Sequence, residues 1–428
     1  MKILIAHKYW FPRDGSTTHV FDLVEMLVSH GHTVIPFGMR MNSDEAQMCE
    51  HIPLIKQLTD RYTHFFVSRC DFNSAKGIIQ KIHLFCRMLY SLEAKRKFRA
   101  LAIQERPDIV HIHNIYHHIS PSILDVCREL NIPVVQTVHD YKLVCPNYKL
   151  FARAAIDEGC LKGNYFHDAW NRSVKGSILA GMACAIEMTI HRALGMNTKM
   201  IQKWIAPSSI VAEKLIQGGY SETKIYTLNH FVKSADDSSD HIQKKDFLLC
   251  VGRLSEEKGF DVALAALKYL SLPLVIVGDG SARESLERHA ATSGVSDRVH
   301  FAGFQPREEV RRLMASARFV LVPSRWHEPF CYVVPESLFA HTLPIGSDIG
   351  ALRELLGAVS EKLLVPGGDP IALAGRITEL LGNTALMEDL INKGIQHYEN
   401  ICLPQVYYDS LMNVYREAVQ ELKTDKIL

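Results

Sequence analysis

The sequence predicts an α/β protein built from two Rossmann-like, doubly wound domains that face each other across a cleft. Three observations lead there. The chain has 428 residues, too many for one ordinary hydrophobic core and enough for two of roughly 200 residues each. Short apolar runs alternate with amphipathic segments in both halves, the pattern of parallel strands joined by crossover helices. Between the halves, residues 226–245 lose apolar periodicity and gain Asp, Ser and Lys, as an interdomain linker does. The expected division is an N-terminal domain over 1–225, that linker, a C-terminal domain over 246–405, and a final helix over 406–428 placed to pack back on the N-terminal domain.

In order along the first half, KILIA (2–6) reads as a buried parallel strand. A loop with Pro12, Asp14 and Gly15 leads to the amphipathic helix THVFDLVEMLVSH, which Gly31 stops, and HTVIPFG is the next strand. This is a βαβ opening. Residues 40–75 fit neither period, and 76–106 read as one basic helical stretch. PDIVHIHN (107–114) and IPVVQTVHD (132–140) are strands with the helix SPSILDVCREL between them. An irregular segment over 141–175 precedes a long helix to about residue 200, the short strand KWIAPS and the helix SIVAEKLIQGG.

The second half repeats the alternation. FLLCVG (247–252), PLVIVGDG (273–280), RVHFAGF (298–304), RFVLVPS (318–324) and LPIGSD (343–348) are the strands. Helices follow at 259–270, 282–292, 307–317, from Pro335, and at ALRELLG (351–357). Proline at the start of a helix removes no hydrogen bond. Ligands of such folds sit beyond the strand C-termini, so the loops at that end are where chemistry belongs.

Composition narrows the class. Hydrophobic residues make up 47% of the chain, and 48 Lys and Arg against 47 Asp and Glu leave a net charge of +1. That is a packed globular chain without the basic excess of a dedicated nucleic-acid binder. The ten cysteines form no tight framework, and Cys127 and Cys250 read as small core residues, which fits a reducing compartment. The opening MKILIAHKYW is not a signal peptide, because His7 and Lys8 cut its apolar run short. No run reaches the roughly 18 uncharged apolar residues of a membrane span. The longest candidate, 176–196, is interrupted by Glu187, His191 and Arg192. A cytoplasmic protein is expected.

The segment WHEPFCYVVPESLFA (326–340) carries two carboxylates with seven residues between them, Glu328 in a loop and Glu336 on the first turn of a helix. A helix N-terminus after a loop offers free N–H groups to an anion, and carboxylates accept from hydroxyls. A ligand with both phosphates and hydroxyls, such as a nucleotide-sugar, suits the pair; two solvated glutamates are the plain alternative. Arg253 and Lys258 straddle the turn after the first strand of this half, where two cations suit a pyrophosphate or simply face water. Gly278 and Gly280 permit close backbone approach, and Gly350 opens the next helix.

The ordered series GRLSEEKG (252–259), VGDG (277–280), FAGF (301–304), PSRWHEPF (323–330), the spaced glutamates and LPIGSDIG (343–350) resembles the family 4 retaining glycosyltransferases of the GT-B fold. The resemblance runs from residue 1 to about 400; APS (206–208), TVHDYKLVCPNYKLF (137–151) and the Gly15 loop also match. It implies a metal-independent hexosyltransferase that moves a sugar from a UDP- or GDP-linked donor to a glycan or lipid-linked acceptor, in envelope or exopolysaccharide assembly. Arg253 and Lys258 would neutralise the donor diphosphate, and Glu336 would accept from the ribose hydroxyls. Glu328 would hold hydroxyls of the transferred sugar, with the N–H groups of Phe330 and Cys331 nearby. Gly15 and Ser16 would let the N-terminal loop reach the phosphates across the cleft. His139 would line the sugar and acceptor side, or else be a strand-end histidine bonded to Asp140. A non-catalytic sugar-nucleotide-binding partner of another transferase and a nucleotide-sugar epimerase of the same fold are the alternatives.

Breaking the sugar–phosphate bond builds negative charge on the diphosphate, and two cations aimed there stabilise it. No cofactor and no metal are then expected, and no Asp-x-Asp follows a strand to hold magnesium. The resemblance also implies front-face attack, the leaving phosphate taking the acceptor proton; Glu328 as a covalent nucleophile is the other possibility. The chain departs from the family pattern at Cys331, Ser16, His341 and Ala351, where glycines are usual, which bears on donor identity. A subgroup with four extra cysteines is matched only at Cys160, with Cys145 upstream and Asp157, Asp168 and Ser173 in the other places. A zinc site needs about four ligands, so none is expected. The stretch 76–106, with Lys76, Lys81, Arg87, Lys95, Arg96, Lys97 and Arg99 among Phe85, Leu89, Tyr90 and Phe98, suits docking on anionic lipid or is an ordinary solvated face.

Overall fold

The computed structural model describes residues 1–70, 77–233 and 243–424. The first half contains β1 (Lys2–Ala6), α1 (Gly15–Ser29), β2 (Thr33–Phe37), α2 (Ser43–Met48), α3 (Pro53–Tyr62), α4 (Ile78–Leu89), α5 (Leu92–Glu105), β3 (Ile109–Ile112), α6 (Ser122–Leu130) and β4 (Val134–Thr137). A short hairpin of β5 (Phe151–Ala152) and β6 (Ala155–Ile156) follows, then α7 (Phe166–Trp170), α8 (Ile178–Ala193), β7 (Lys203–Ala206), α9 (Ser209–Gln217) and β8 (Ile225–Thr227). The second half contains β9 (Leu248–Val251), α10 (Phe260–Ala266), β10 (Leu274–Val277), α11 (Arg283–Thr292), β11 (Val299–Gly303), α12 (Arg307–Ser316), β12 (Phe319–Val322) and α13 (Val333–Phe339). It closes with β13 (Leu343–Ser347), α14 (Gly350–Gly357), β14 (Leu364–Val365), α15 (Pro370–Leu381), α16 (Thr384–Ile401) and α17 (Pro404–Thr424).

Each half is a six-stranded parallel sheet between helices, ordered β2-β1-β3-β4-β7-β8 and β11-β10-β9-β12-β13-β14. Both sheets are doubly wound, and the strand order reverses between β1 and β3 in the first and between β9 and β12 in the second. Those are the switch points where such sheets bind ligands. The central strands are mostly apolar because both faces are covered; β1, β3 and β4 are buried almost end to end. Separate hydrophobic cores pack around the two sheets.

Local chemistry explains where the elements begin and end. Helix α1 starts at Gly15, three residues before the expected start. Asp14 caps it, its Oδ1 accepting from Ser16 N at 3.1 Å and Thr17 N at 3.2 Å. The expected continuous stretch over 76–106 is instead two helices. Tyr90 is extended at φ −157°, and Ser91 Oγ accepts from Ala94 N at 3.1 Å to restart the chain as α5. Lys76 lies outside the described residues, as do 234–242 of the expected linker and the last four residues of the expected final helix. Tyr226 and Thr227, placed in the linker by sequence, belong to β8. Helix α17 crosses back to the first half, where Tyr407, Leu411, Val414 and Tyr415 join its core.

Candidate functional site

The loops after β9 and β12 meet at the switch point of the second sheet. Gly259 sits at φ 65°, and a Cβ there would lie 2.0 Å from the Pro323 carbonyl oxygen, so only glycine lets the two loops touch. That contact sets Lys258 against Glu328. Lys258 Nζ donates to both Glu328 carboxylate oxygens, at 2.8 and 3.0 Å, and Ser324 Oγ donates to Oε1 at 2.6 Å. Glu328 is 2% exposed. Burial by itself lowers the affinity of Lys258 for its proton; the Glu328 carboxylate outweighs it, and the pKa is raised. Arg253 stands beside the pair with its side chain 56% exposed, its Nη2 3.3 Å from Glu257 Oε1. Lys149, from the irregular segment of the first half, holds the same Glu257 oxygen at 3.0 Å.

Gly350 fixes the other side of the Glu328 loop. It is at φ 54°, and a Cβ would meet His327 Cα at 2.7 Å and Glu328 N at 3.0 Å. Past Glu328, Pro329 accepts from Ser208 Oγ of the first half at 2.6 Å. Phe330 and Cys331 are buried, and burial pushes the Cys331 thiol up to about 12. Gly15 faces Tyr332 of the second half, to which a Cβ would come within 3.6 Å. Ser16 Oγ is turned to Asp14 Oδ1 at 2.6 Å.

Glu336 sits on α13 as expected, at the far side of this loop. Helix α13 opens at Val333, two residues before the expected Pro335. Burial raises the Glu336 pKa, tempered by Arg307, whose Nη2 lies 3.6 Å away. Arg307 also pairs with Asp22 of α1 at 3.0 Å, and Lys233 holds Asp22 at 3.0 Å, so this carboxylate belongs to a charge chain across the two halves.

His139 ends β4. Its Nε2 is 2.8 Å from His113 Nδ1, and Asp140 instead accepts from the Tyr116 hydroxyl and, at 2.9 Å, from Lys142 N. The strand-end pairing with Asp140 is therefore absent. His139 joins a buried group with His7, His19, His111, His113 and His230. The His19 and His230 rings lie 4.0 Å apart, and His230 reaches Phe330 at 5.2 Å. His7 Nε2, His19 Nδ1, His113 Nε2 and His230 Nδ1 are buried without a hydrogen-bond partner. Burial lowers His7 and His111 to about 3 and His139 to about 4. Sequence reading missed this group, although three of its members, His111, His113 and His139, sit in the readable strands HIH and TVH. It also missed Lys8, lowered by burial to about 8 and placed 3.5 Å from the centre of the Tyr116 ring.

A cavity of about 280 Å³ opens in the first half, lined by residues that include Tyr116, Gln136, Lys142, Glu187, His191 and Arg192. Lys142 Nζ and Glu187 Oε2 pair at 2.7 Å on its wall. Among the described residues, two side-chain groups have metal-ligand character. His117, Cys184 and Glu187 cluster, but the Lys142 ammonium already takes the position a cation would need. Cys145, Cys160 and Asp168 also cluster. There Asp168 accepts from Cys145 Sγ at 3.1 Å, Asn147 Nδ2 at 2.9 Å and Ser173 Oγ at 2.5 Å. Asp157 points elsewhere, to His167 at 2.7 Å. No helix among the described residues is long and apolar enough to cross a membrane.

Residues 13–235 match the profile described as glycosyltransferase family 4, and 232–397 match the profile glycosyl transferases group 1. An uncharacterized glycosyltransferase of Methanocaldococcus jannaschii is 23% identical over 98% of this chain and 99% of its own. An uncharacterized 42.6 kDa protein from the cps region of Klebsiella pneumoniae is 24% identical over 83% of this chain and 87% of its own. Among solved structures, Anabaena HepE in complex with UDP and glucose superposes with a TM-score of 0.67 at 14% identity, covering 96% of this chain and 98% of that one. Sucrose-phosphate synthase of Thermosynechococcus elongatus gives a TM-score of 0.70 at 18% identity, covering 97% and 98%. These likenesses establish the two-domain GT-B fold.

Proposed function

Because this chain belongs to glycosyltransferase family 4, we propose that it moves a sugar from a UDP- or GDP-linked donor to a glycan or lipid-linked acceptor, with retention of configuration and without a metal. The observation that carries the reading is the Lys258–Glu328 pair at the switch point, with Arg253, half-exposed and paired to Glu257, beside it. The UDP held by a protein of the same fold supports a nucleotide-sugar donor. The relative from a cps region supports a place in polysaccharide assembly.

In this reading the diphosphate lies over Lys258 and Arg253. As the bond from the anomeric carbon to the phosphate oxygen breaks, charge grows on that oxygen, where two cations placed beside it stabilise it most. The acceptor oxygen attacks from the same face, and its proton passes to the departing phosphate oxygen. Glu328, held on Lys258 and Ser324, orients sugar hydroxyls, with the Phe330 and Cys331 N–H groups beside it. Glu336 takes the ribose hydroxyls, and Gly15 and Ser16 approach the phosphates from the first half. His139, neutral at pH 7, offers Nδ1 to the sugar side because its Nε2 is engaged by His113.

Incubation with UDP-, GDP- and ADP-sugars in the absence of acceptor tests the proposal. Slow release of free sugar from a UDP- or GDP-donor is expected, as water replaces the acceptor. Tight nucleotide binding with no turnover would favour a non-catalytic partner, and a sugar released into the nucleotide pool as its epimer would favour an epimerase.

A further inference from the structure

The first two turns of α4 have no buried side. Ile78 and Ile79 are 72% and 80% exposed, Ile82 is 55% exposed, and every residue from 77 to 83 is exposed. At 100° per residue these isoleucines fall within one arc of about 100°. A helix in water normally turns such an arc to a core, and among the described residues none covers it. Helix α8 packs against both α4 and α7, with His191 Nε2 2.8 Å from the Leu89 carbonyl oxygen. These neighbouring helices add further large apolar residues: Trp170 at 67%, Leu179 at 82% and Leu194 at 62% exposed. Single exposed apolar residues are ordinary; a group on adjoining helices marks an interaction surface.

Charge identifies the occupant. Across 77–89 and 162–200 the exposed charges are Lys81, Lys162, Arg172, Lys175, Arg192 and Lys199, all cationic; of these Arg192 donates to the Tyr165 hydroxyl and the Gly218 carbonyl oxygen at 3.3 and 3.1 Å and belongs to the cavity wall rather than to this face. The two acids of these stretches, Asp168 and Glu187, are buried. Of the four cations of α5, Arg96 is exposed and the other three are held by acids of the protein. Lys95 is held by Asp125 and Glu129 at 3.5 and 3.3 Å, Lys97 by Glu93 at 3.1 Å, and Arg99 by Glu129. We propose that the face formed by α4, α7 and the two ends of α8 docks on an anionic lipid bilayer, its apolar side chains entering the headgroup region and its cations meeting lipid phosphates. Apolar burial joined to attraction for anionic lipid is the physics of such interfacial binding. The docking helix is thus α4, while in the α5 half of the expected basic stretch Lys95, Lys97 and Arg99 are ion-paired within the protein. Helix α8 also forms a wall of the 280 Å³ cavity through Met188, His191 and Arg192. The bilayer would then stand about one helix diameter, ~10 Å, from that cavity.

Vesicle sedimentation tests this without reference to catalysis. The full chain should pellet with phosphatidylcholine vesicles containing phosphatidylglycerol and stay in solution with phosphatidylcholine alone. The double variant Ile79→Asp, Leu179→Asp should lower the pelleted fraction at least tenfold. Arg172→Glu with Lys199→Glu should do the same, with unchanged melting temperature because all four positions are exposed. Donor hydrolysis should be unaltered in both variants, so a failed glycosyltransfer reading and a failed docking reading give different results. Equal pelleting on both lipids, no pelleting of the native chain, or a dimer in sedimentation equilibrium that Ile79→Asp dissociates would overturn the proposal, the last by making a second copy the occupant.

Discussion

Lys258 and Glu328 come within hydrogen-bond distance from loops seventy residues apart, and each decides what the other can do. Removing one leaves a buried charge unpaired, which destabilises by about 3–5 kcal/mol when burial is complete; Glu328 is nearly so. Lys258→Met should therefore lower the melting temperature in calorimetry more than Arg253→Ala, whose side chain is more than half exposed. Comparable melting temperatures for the two would mean that the pair opens in solution. The glutamates should also divide. Glu336→Gln should weaken binding of free UDP or GDP, by the 1–3 kcal/mol or so that an unpaired buried hydroxyl donor costs. Glu328→Gln should spare that binding and slow transfer. Equal affinity losses in titration calorimetry would contradict these separate roles. Type and spacing single out both glutamates, Arg253 and Lys258 in the sequence, and the structure brings Lys258 and Glu328 together with Arg253 beside them. Their partners were not: Ser324, Arg307 and Asp22 are common residues, and Asp22 and Arg307 are 285 positions apart.

At the scale of elements, parallel strands were legible because burial on both faces leaves near-continuous apolar runs. The break at Tyr90 was harder to read, since 76–106 keeps helical composition through it and only Ser91 marks the restart. The segment 40–75 carries α2 and α3, yet α2 is six residues long and shows too little periodicity to be recognised. Gly350 is where an element sets the site. In the left-handed region an alanine strains the backbone by roughly 1–2 kcal/mol, and here its Cβ would also press on His327 and Glu328 N. Gly350→Ala should cut transfer at least tenfold while melting only a few degrees lower. A variant with full turnover would show that the Glu328 loop tolerates displacement.

Across the whole molecule, the second half returns to the first through α17, and the buried histidines gather where both meet. His111 Nδ1 bonds the Tyr415 hydroxyl of α17 at 2.7 Å, and His19 Nε2 lies 3.2 Å from the Tyr407 hydroxyl. His230, just before the second half, stacks on Tyr332. No sequence pattern announces this arrangement, because it depends on strands and a terminal helix hundreds of residues apart. Its consequence is a pH dependence. These rings are neutral when folded, with His7 and His111 at about 3 and His139 at about 4, and near 6.5 when unfolded. Between those values the unfolded chain binds more protons, so stability falls as pH drops below about 6.5. The melting temperature should decline steadily from pH 7 to pH 5, above the range where ordinary carboxylates titrate. A flat or rising curve would mean that the cluster opens and protonates without unfolding.

In the proposed mechanism protein cations, with no metal, carry the diphosphate charge. Turnover of the native chain and of Arg253→Ala at saturating nucleotide-sugar, each in excess EDTA, tests this. The native chain should keep its full rate in EDTA, and Arg253→Ala should lose about two to three orders of magnitude, the scale of one lost transition-state contact, while remaining folded. A native enzyme silenced by EDTA and restored by magnesium or manganese, or an Arg253→Ala variant at full rate, would contradict the account.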